Sequence, residues 1–201
     1  MRAPLTAVAS RQTLLPHIGP STSNLKKAIV LALGVLALTP IFAAAQRRIH
    51  GFIDPMPTAK LKQLFPRAAA FTPRDKDPLR FTAYAVDPPP PGATPLEYAF
   101  WTVDLVPELL GYHGHIHMLV GMDTTGTLTG VITDLNTEPY GDISVNRPEF
   151  AAQFTGKSIR DPFVPGRDVD VVSRATISVR AAALTIRDSA RAVARAVLKP
   201  D

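Results

Sequence analysis

The stretch Asp170-Val-Val-Ser-Arg-Ala-Thr176-Ile-Ser178 places hydroxyl-bearing residues directly ahead of a long Ala/Arg/Val run with helical spacing. Two kinds of chemistry suit such a junction. A Ser or Thr at a helix start caps it, its side-chain oxygen accepting a bond from a free backbone N–H. The same end presents unpaired N–H groups and the positive end of the helix dipole, which suits a phosphate. A phosphate esterified there would fix a cofactor and leave the remainder free to react. On residue types alone, capping is the commoner role of such hydroxyls.

His113, His115 and His117 form a second constellation. In a strand, alternate residues project from one face, so two or three of these imidazoles could ligate zinc or copper. No carboxylate is obviously paired with them, and we assign them no metal. The chain has no Cys, which excludes a disulfide framework, a thiolate nucleophile, an iron–sulfur site and Cys-based zinc binding. Any redox chemistry must then come from a bound cofactor. No Gly-x-Ser-x-Gly elbow is present to support a serine hydrolase.

The elements that must position these residues follow from periodicity. Val179, Ala182, Ala183, Ile186, Ala190, Val193 and Val197 recur at spacings of three and four, predicting a helix from about Ser178 to Leu198. Gly111 to Asp123 reads as a strand, Thr124-Thr-Gly126 as a turn and Thr127 to Asp134 as the returning strand of a β-hairpin. Arg80 to Val86 and Glu97 to Val103 alternate in strand fashion. Short helices are expected at Thr58 to Phe65 and Pro148 to Phe154. The Pro-rich segment containing Asp87-Pro-Pro-Pro-Pro-Gly92 can be neither helix nor central strand.

Lys26-Lys27 precede an apolar run from Ala28 to Ala45 that ends in Ala-Ala-Ala. It reads as a secretory signal or as a single-span helical anchor. Either places the remainder beyond the cytoplasmic membrane. The formal net charge of +5 belongs mostly to Arg2, Arg11, Lys26 and Lys27, and the rest of the chain is nearly balanced. Nucleic-acid binding is disfavoured on that ground. Three regions result: a leader or anchor at 1–45, a Pro-rich lead-in at 46–95 and a domain at 96–201.

Several motifs occur in a common order: Gly111-Tyr112, Leu119-Val-Gly-Met-Asp123, Gly126, Gly130-Val131, Asn136-Thr-Glu-Pro-Tyr140 and Asp170 to Thr176. In order and spacing they resemble the FMN-binding domain family, most nearly the extracytoplasmic flavin domain of NosR/NirI-type membrane proteins. The flavin subunits of Rnf complexes and sodium-pumping quinone reductases are more distant. The resemblance, over about residues 97 to 197, implies an α+β fold with an antiparallel sheet, a β-hairpin and packed helices. It further implies FMN joined by a phosphoester to Thr176, an attachment made by an ApbE-type flavin transferase that consumes FAD and needs magnesium. Asp170, Ser173, Arg174 and Ala175 then belong to the phosphate-bearing loop. Glu138 is placed near the flavin ring or that loop, with a solvated or capping carboxylate as the competing role. Tyr112 is expected at the ring; Met118 and Met122 either face it or pack the core.

One position departs from the family: Arg174 stands where it has glycine. If the backbone needs φ > 0 there, arginine would hinder modification. Arginine is also a bidentate donor to phosphate. The function implied is electron relay in a respiratory or quinone-linked chain, on the periplasmic side of a bacterial inner membrane, with redox proteins or a larger membrane complex as partners. The alternative is a flavin-free assembly subunit that keeps the fold; a secreted metalloenzyme built on the three histidines is weaker.

Overall fold

Two opposite faces of a single sheet organise the region that the structure describes, residues 53–74 and 76–198 of a computed structural model. The run from Ala28 to Ala45, with the signal or anchor expected there, lies outside the described residues. Among those described, no helix is long and apolar enough to cross a membrane. Strands β1 (Ala70–Phe71), β2 (Phe81–Tyr84), β3 (Glu97–Trp101), β4 (His117–Asp123) and β5 (Leu128–Leu135) pair antiparallel in chain order. Four helices accompany them: α1 (Thr58–Leu64), α2 (Thr102–Leu105), α3 (Pro148–Ala152) and α4 (Thr176–Val197). The architecture is α+β with an antiparallel sheet, as expected, and the lead-in contributes β1 and β2 to it.

Side chains alternate across a strand, so each strand feeds two cores. Tyr98 and Phe100 of β3 join Met118, Val120 and Met122 of β4 in one cluster, which α4 covers with Val179, Ala182, Ala183, Ile186, Ala190 and Val193. Ala99 and Trp101 of β3 and Leu119 of β4 point the other way, against Leu61 of α1 and the following Phe65. Buried on both faces, β4 carries almost no polar alternation. Met118 and Met122 are both fully buried core residues. Each fully buried Val, Ile or Met contributes about 1.5–3 kcal/mol through lost apolar exposure, so α4 is held chiefly by this face.

The β4–β5 hairpin closes around Asp123. Its Oδ1 accepts the Thr125 N–H at 2.8 Å and the Thr127 N–H at 2.9 Å, while Gly126 takes φ 86°, a conformation costly for residues with a Cβ.

Three expected strands are shorter than their patterns, and of the strand expected over 80–86 only Phe81–Tyr84 forms. β3 ends at Trp101 because Thr102 starts α2; its Oγ1 accepts the Met118 N–H at 3.3 Å. The strand expected from Gly111 starts only at His117. Gly111 donates its N–H to the Gly114 carbonyl at 2.7 Å and Gly114 lies at φ 144°, so residues 111–116 form a turn and loop. The three histidines therefore do not share one strand face. His113 is exposed in the loop, whereas His115 and His117 meet edge to face with ring centroids 6.2 Å apart.

Candidate functional site

Helix α4 starts without a side-chain cap. Its N-cap residue is Ala175, which has no side-chain oxygen, and neither Ser173 nor Thr176 takes over that role. Among the described residues the backbone N–H groups of Thr176, Ile177 and Ser178 donate no hydrogen bond. The first turn also lacks an acidic residue. The end of a 22-residue helix is thus left with unpaired donors and the positive end of its dipole. Thr176, the first helical residue, is exposed, and its hydroxyl makes no hydrogen bond among the described residues.

Ser178 turns the other way. Its hydroxyl donates to Glu138 Oε2. The same carboxylate accepts the Tyr112 N–H at 2.9 Å on Oε2 and the His113 N–H at 2.8 Å on Oε1. Glu138 is 7% exposed. Burial pushes its pKa up, but the bonds from Ser178, His113 and Tyr112, with the nearby His113 charge, outweigh this and hold the carboxyl below its ordinary value. Gly111 completes the fit: a Cβ there would stand 2.6 Å from Glu138 Oε1, so any larger residue would push the carboxylate out of place. Glu138 is a clamp joining the 111–114 turn, the segment after β5 and the first turn of α4.

The clamp shapes a cleft of about 490 Å³, within the ~300–1,000 Å³ of small-molecule sites. Tyr112 forms one wall, Pro139 and Tyr140 a second, and Arg174, Thr176, Ile177 and Ser178 the third. The lining is apolar and aromatic except at the α4 end. Tyr112 is 63% exposed and Ile177 56%, so both present apolar surface to the cleft. The Tyr112 ring stacks on His113 at a centroid distance of 5.7 Å.

Of the residues singled out from sequence, Tyr112, Arg174 and Thr176 meet at this cleft. Glu138 stands behind it as the clamp. Ala175 is buried beneath the helix start. Ser173 and Asp170 are exposed outside the lining, and the Asp170 N–H is bound to Gln153 Oε1 at 2.7 Å. Sequence reasoning did not assign Pro139, Tyr140, Ile177 or Ser178 to a site. The signal available was their adjacency to Glu138 and Thr176. No group of three or more His, Asp or Glu among the described residues is arranged to hold a metal.

Free N–H donors, a free hydroxyl and a cation at one end, with an apolar aromatic cleft beyond them, suit a ligand that pairs a phosphate with a flat aromatic ring. The FMN-binding domain model matches residues 111–191, a span containing every wall of the cleft. This stretch is an FMN-binding domain. FMN is its cofactor, and the residues present fit that group. No match is found among curated proteins.

Within the domain, the conformation of Arg174 answers the question raised by its departure from glycine. It lies at φ 70°, in the left-handed region. The position does take φ > 0, and arginine adopts it here.

Proposed function

We propose that the protein is an exported or membrane-anchored flavoprotein on the periplasmic side of the inner membrane, carrying FMN as a phosphoester on Thr176 and relaying electrons between redox partners. One observation carries the reading: the Thr176 hydroxyl is exposed, free and set beside unpaired N–H groups at the mouth of the cleft. Had Thr176 been the helix cap, its oxygen would already be engaged. FMN supplies the electron-transfer chemistry when bound; the chain positions it and sets its surroundings. The N–H groups of the first α4 turn and Arg174 would hold the phosphate. Tyr112, Tyr140 and Ile177 offer apolar surface to the ring and exclude water from it.

Esterification replaces the Thr176 O–H bond with an O–P bond. FAD is the donor, AMP the leaving group, and the hydroxyl proton is released to the transferase. Export is supported by Lys26-Lys27 ahead of the apolar run that ends at Ala45. Partners follow from the absence of Cys, since the chain holds no iron–sulfur relay of its own.

Intact mass and a visible spectrum of protein from its native membrane, before and after denaturation, test the reading. Added FMN mass with colour retained by the denatured chain is expected. Thr176→Val should lose the covalent flavin and keep the fold, since the substitution is at an exposed site and changes stability by less than about 0.5 kcal/mol. Flavin surviving denaturation in that variant would refute Thr176 as acceptor. A colourless native protein would instead favour the flavin-free assembly subunit.

A further inference from the structure

Among the described residues, Arg174 is the only charged one lining the cleft. Two features make it costly where it stands. Its backbone is left-handed at φ 70°, which disfavours any residue with a Cβ. Its cation also lies at the positive end of the α4 dipole, where basic side chains are unfavourable. Nothing among the described residues offsets these costs. Among the described residues the guanidinium makes no ion pair or hydrogen bond. The first turn of α4 has no acidic residue, and the carboxylate of Glu138 behind the cleft is buried and engaged by Tyr112, His113 and Ser178. The charge is therefore available to a ligand anion.

We infer that Arg174 is the specificity-determining residue of this cleft, selecting flavin that bears a terminal phosphate over unphosphorylated riboflavin and holding FMN non-covalently before any ester forms at Thr176. The inference rests on the FMN reading of the site. The two flavins share ring and ribityl chain and differ only in the phosphate, so a discrimination between them measures the phosphate end alone. The planar guanidinium donates two parallel N–H bonds to phosphate oxygens, which the ammonium of lysine does not reproduce. Attraction between an exposed guanidinium and a phosphate is screened by salt, so the discrimination shrinks as ionic strength rises.

The test uses the full chain made in a host without a flavin transferase, titrated with FMN and with riboflavin while flavin fluorescence is followed at low and high salt. The wild type should bind FMN about tenfold or more tightly than riboflavin, the scale of one or two charge-assisted hydrogen bonds. Arg174→Gly should lose most of that preference, leaving riboflavin affinity unchanged and raising the Tm as the left-handed strain disappears. Arg174→Lys, with the same backbone cost, should keep part of the preference. A full FMN preference in Arg174→Gly would overturn the inference and assign phosphate reading to the helix N–H groups. Wild-type protein that binds neither flavin would overturn the FMN reading of the cleft together with it.

Discussion

Among the described residues, two with side chains sit in the left-handed region, Phe163 at φ 55° and Arg174 at φ 70°, and their surroundings are opposite. Phe163 is fully buried, its ring parallel to that of Phe154 at 6.0 Å. Its N–H donates to Asp168 Oδ2 at 3.0 Å, the Val164 N–H to Asp168 Oδ1 at 2.6 Å, and Lys157 Nζ pairs with Oδ2 at 3.2 Å. Left-handed geometry costs roughly 1–2 kcal/mol for such a residue, and burial of a phenylalanine exceeds that. Arg174 has the same backbone cost without burial or a partner. Strain at Phe163 is offset by the fold, whereas at Arg174 nothing among the described residues offsets it. The difference separates a structural corner from one at a binding site.

Placing glycine at both corners gives the largest contrast. Phe163→Gly frees the backbone but empties a core position beside Phe154, and a net loss of about 3 kcal/mol or more is expected in chemical denaturation. A loss below about 1 kcal/mol would mean that the strain there is not compensated by packing. Asp168→Ala at the same corner removes the acceptor of two backbone N–H groups and of Lys157. It should cost about 2–3 kcal/mol.

The Glu138 clamp extends the comparison to the cleft, where a buried acceptor belongs to the structure and an exposed donor set does not. Glu138→Gln keeps the shape but turns an amide N–H₂ toward N–H donors, costing about 1–3 kcal/mol at neutral pH. The pH sign follows from the lowered carboxyl. Its stabilisation is complete above the ordinary value of 4.5 and is lost as pH falls through the lower folded value. Urea midpoints followed down in pH from 6 should therefore fall more steeply for wild type than for Glu138→Gln. Parallel curves would show that the clamp does not contribute through its charge.

Local periodicity made much of this fold legible. The spacing of Val179, Ala183, Ile186, Ala190 and Val193 anticipated the buried face of α4, and the Asp123–Gly126 turn anticipated the hairpin. Histidines alternating from 113 to 117 looked like strand because a period of two does not register a turn. That turn depends on Glu138, 25 residues away from His113, taking backbone N–H groups that a strand would have used. Ser178 was hidden for the same reason, its partner lying 40 residues away. Thr176 was legible as a hydroxyl at a helix start. What left its hydroxyl free of the capping role was the one-residue placement of Ala175 at the N-cap, a boundary that propensity does not fix.

The smallest effect has the opposite sign. Arg174→Gly removes an exposed side chain that makes no hydrogen bond or ion pair among the described residues, and gives the φ 70° position to the residue that takes it without a Cβ penalty. The relief of roughly 1–2 kcal/mol is reduced by about 0.5–1 kcal/mol of added unfolded-state freedom. Removing a cation from the positive end of α4 adds a few tenths of a kcal/mol in the favourable direction. A net gain of about 1 kcal/mol in flavin-free protein is expected, where glycine at position 163 brings a loss. Saturating FMN should narrow or reverse that gain, because a ligand stabilises the form it binds more tightly. If FMN stabilises both proteins equally, Arg174 does not contact the phosphate, and its strain is as unconnected to the cofactor as that of Phe163.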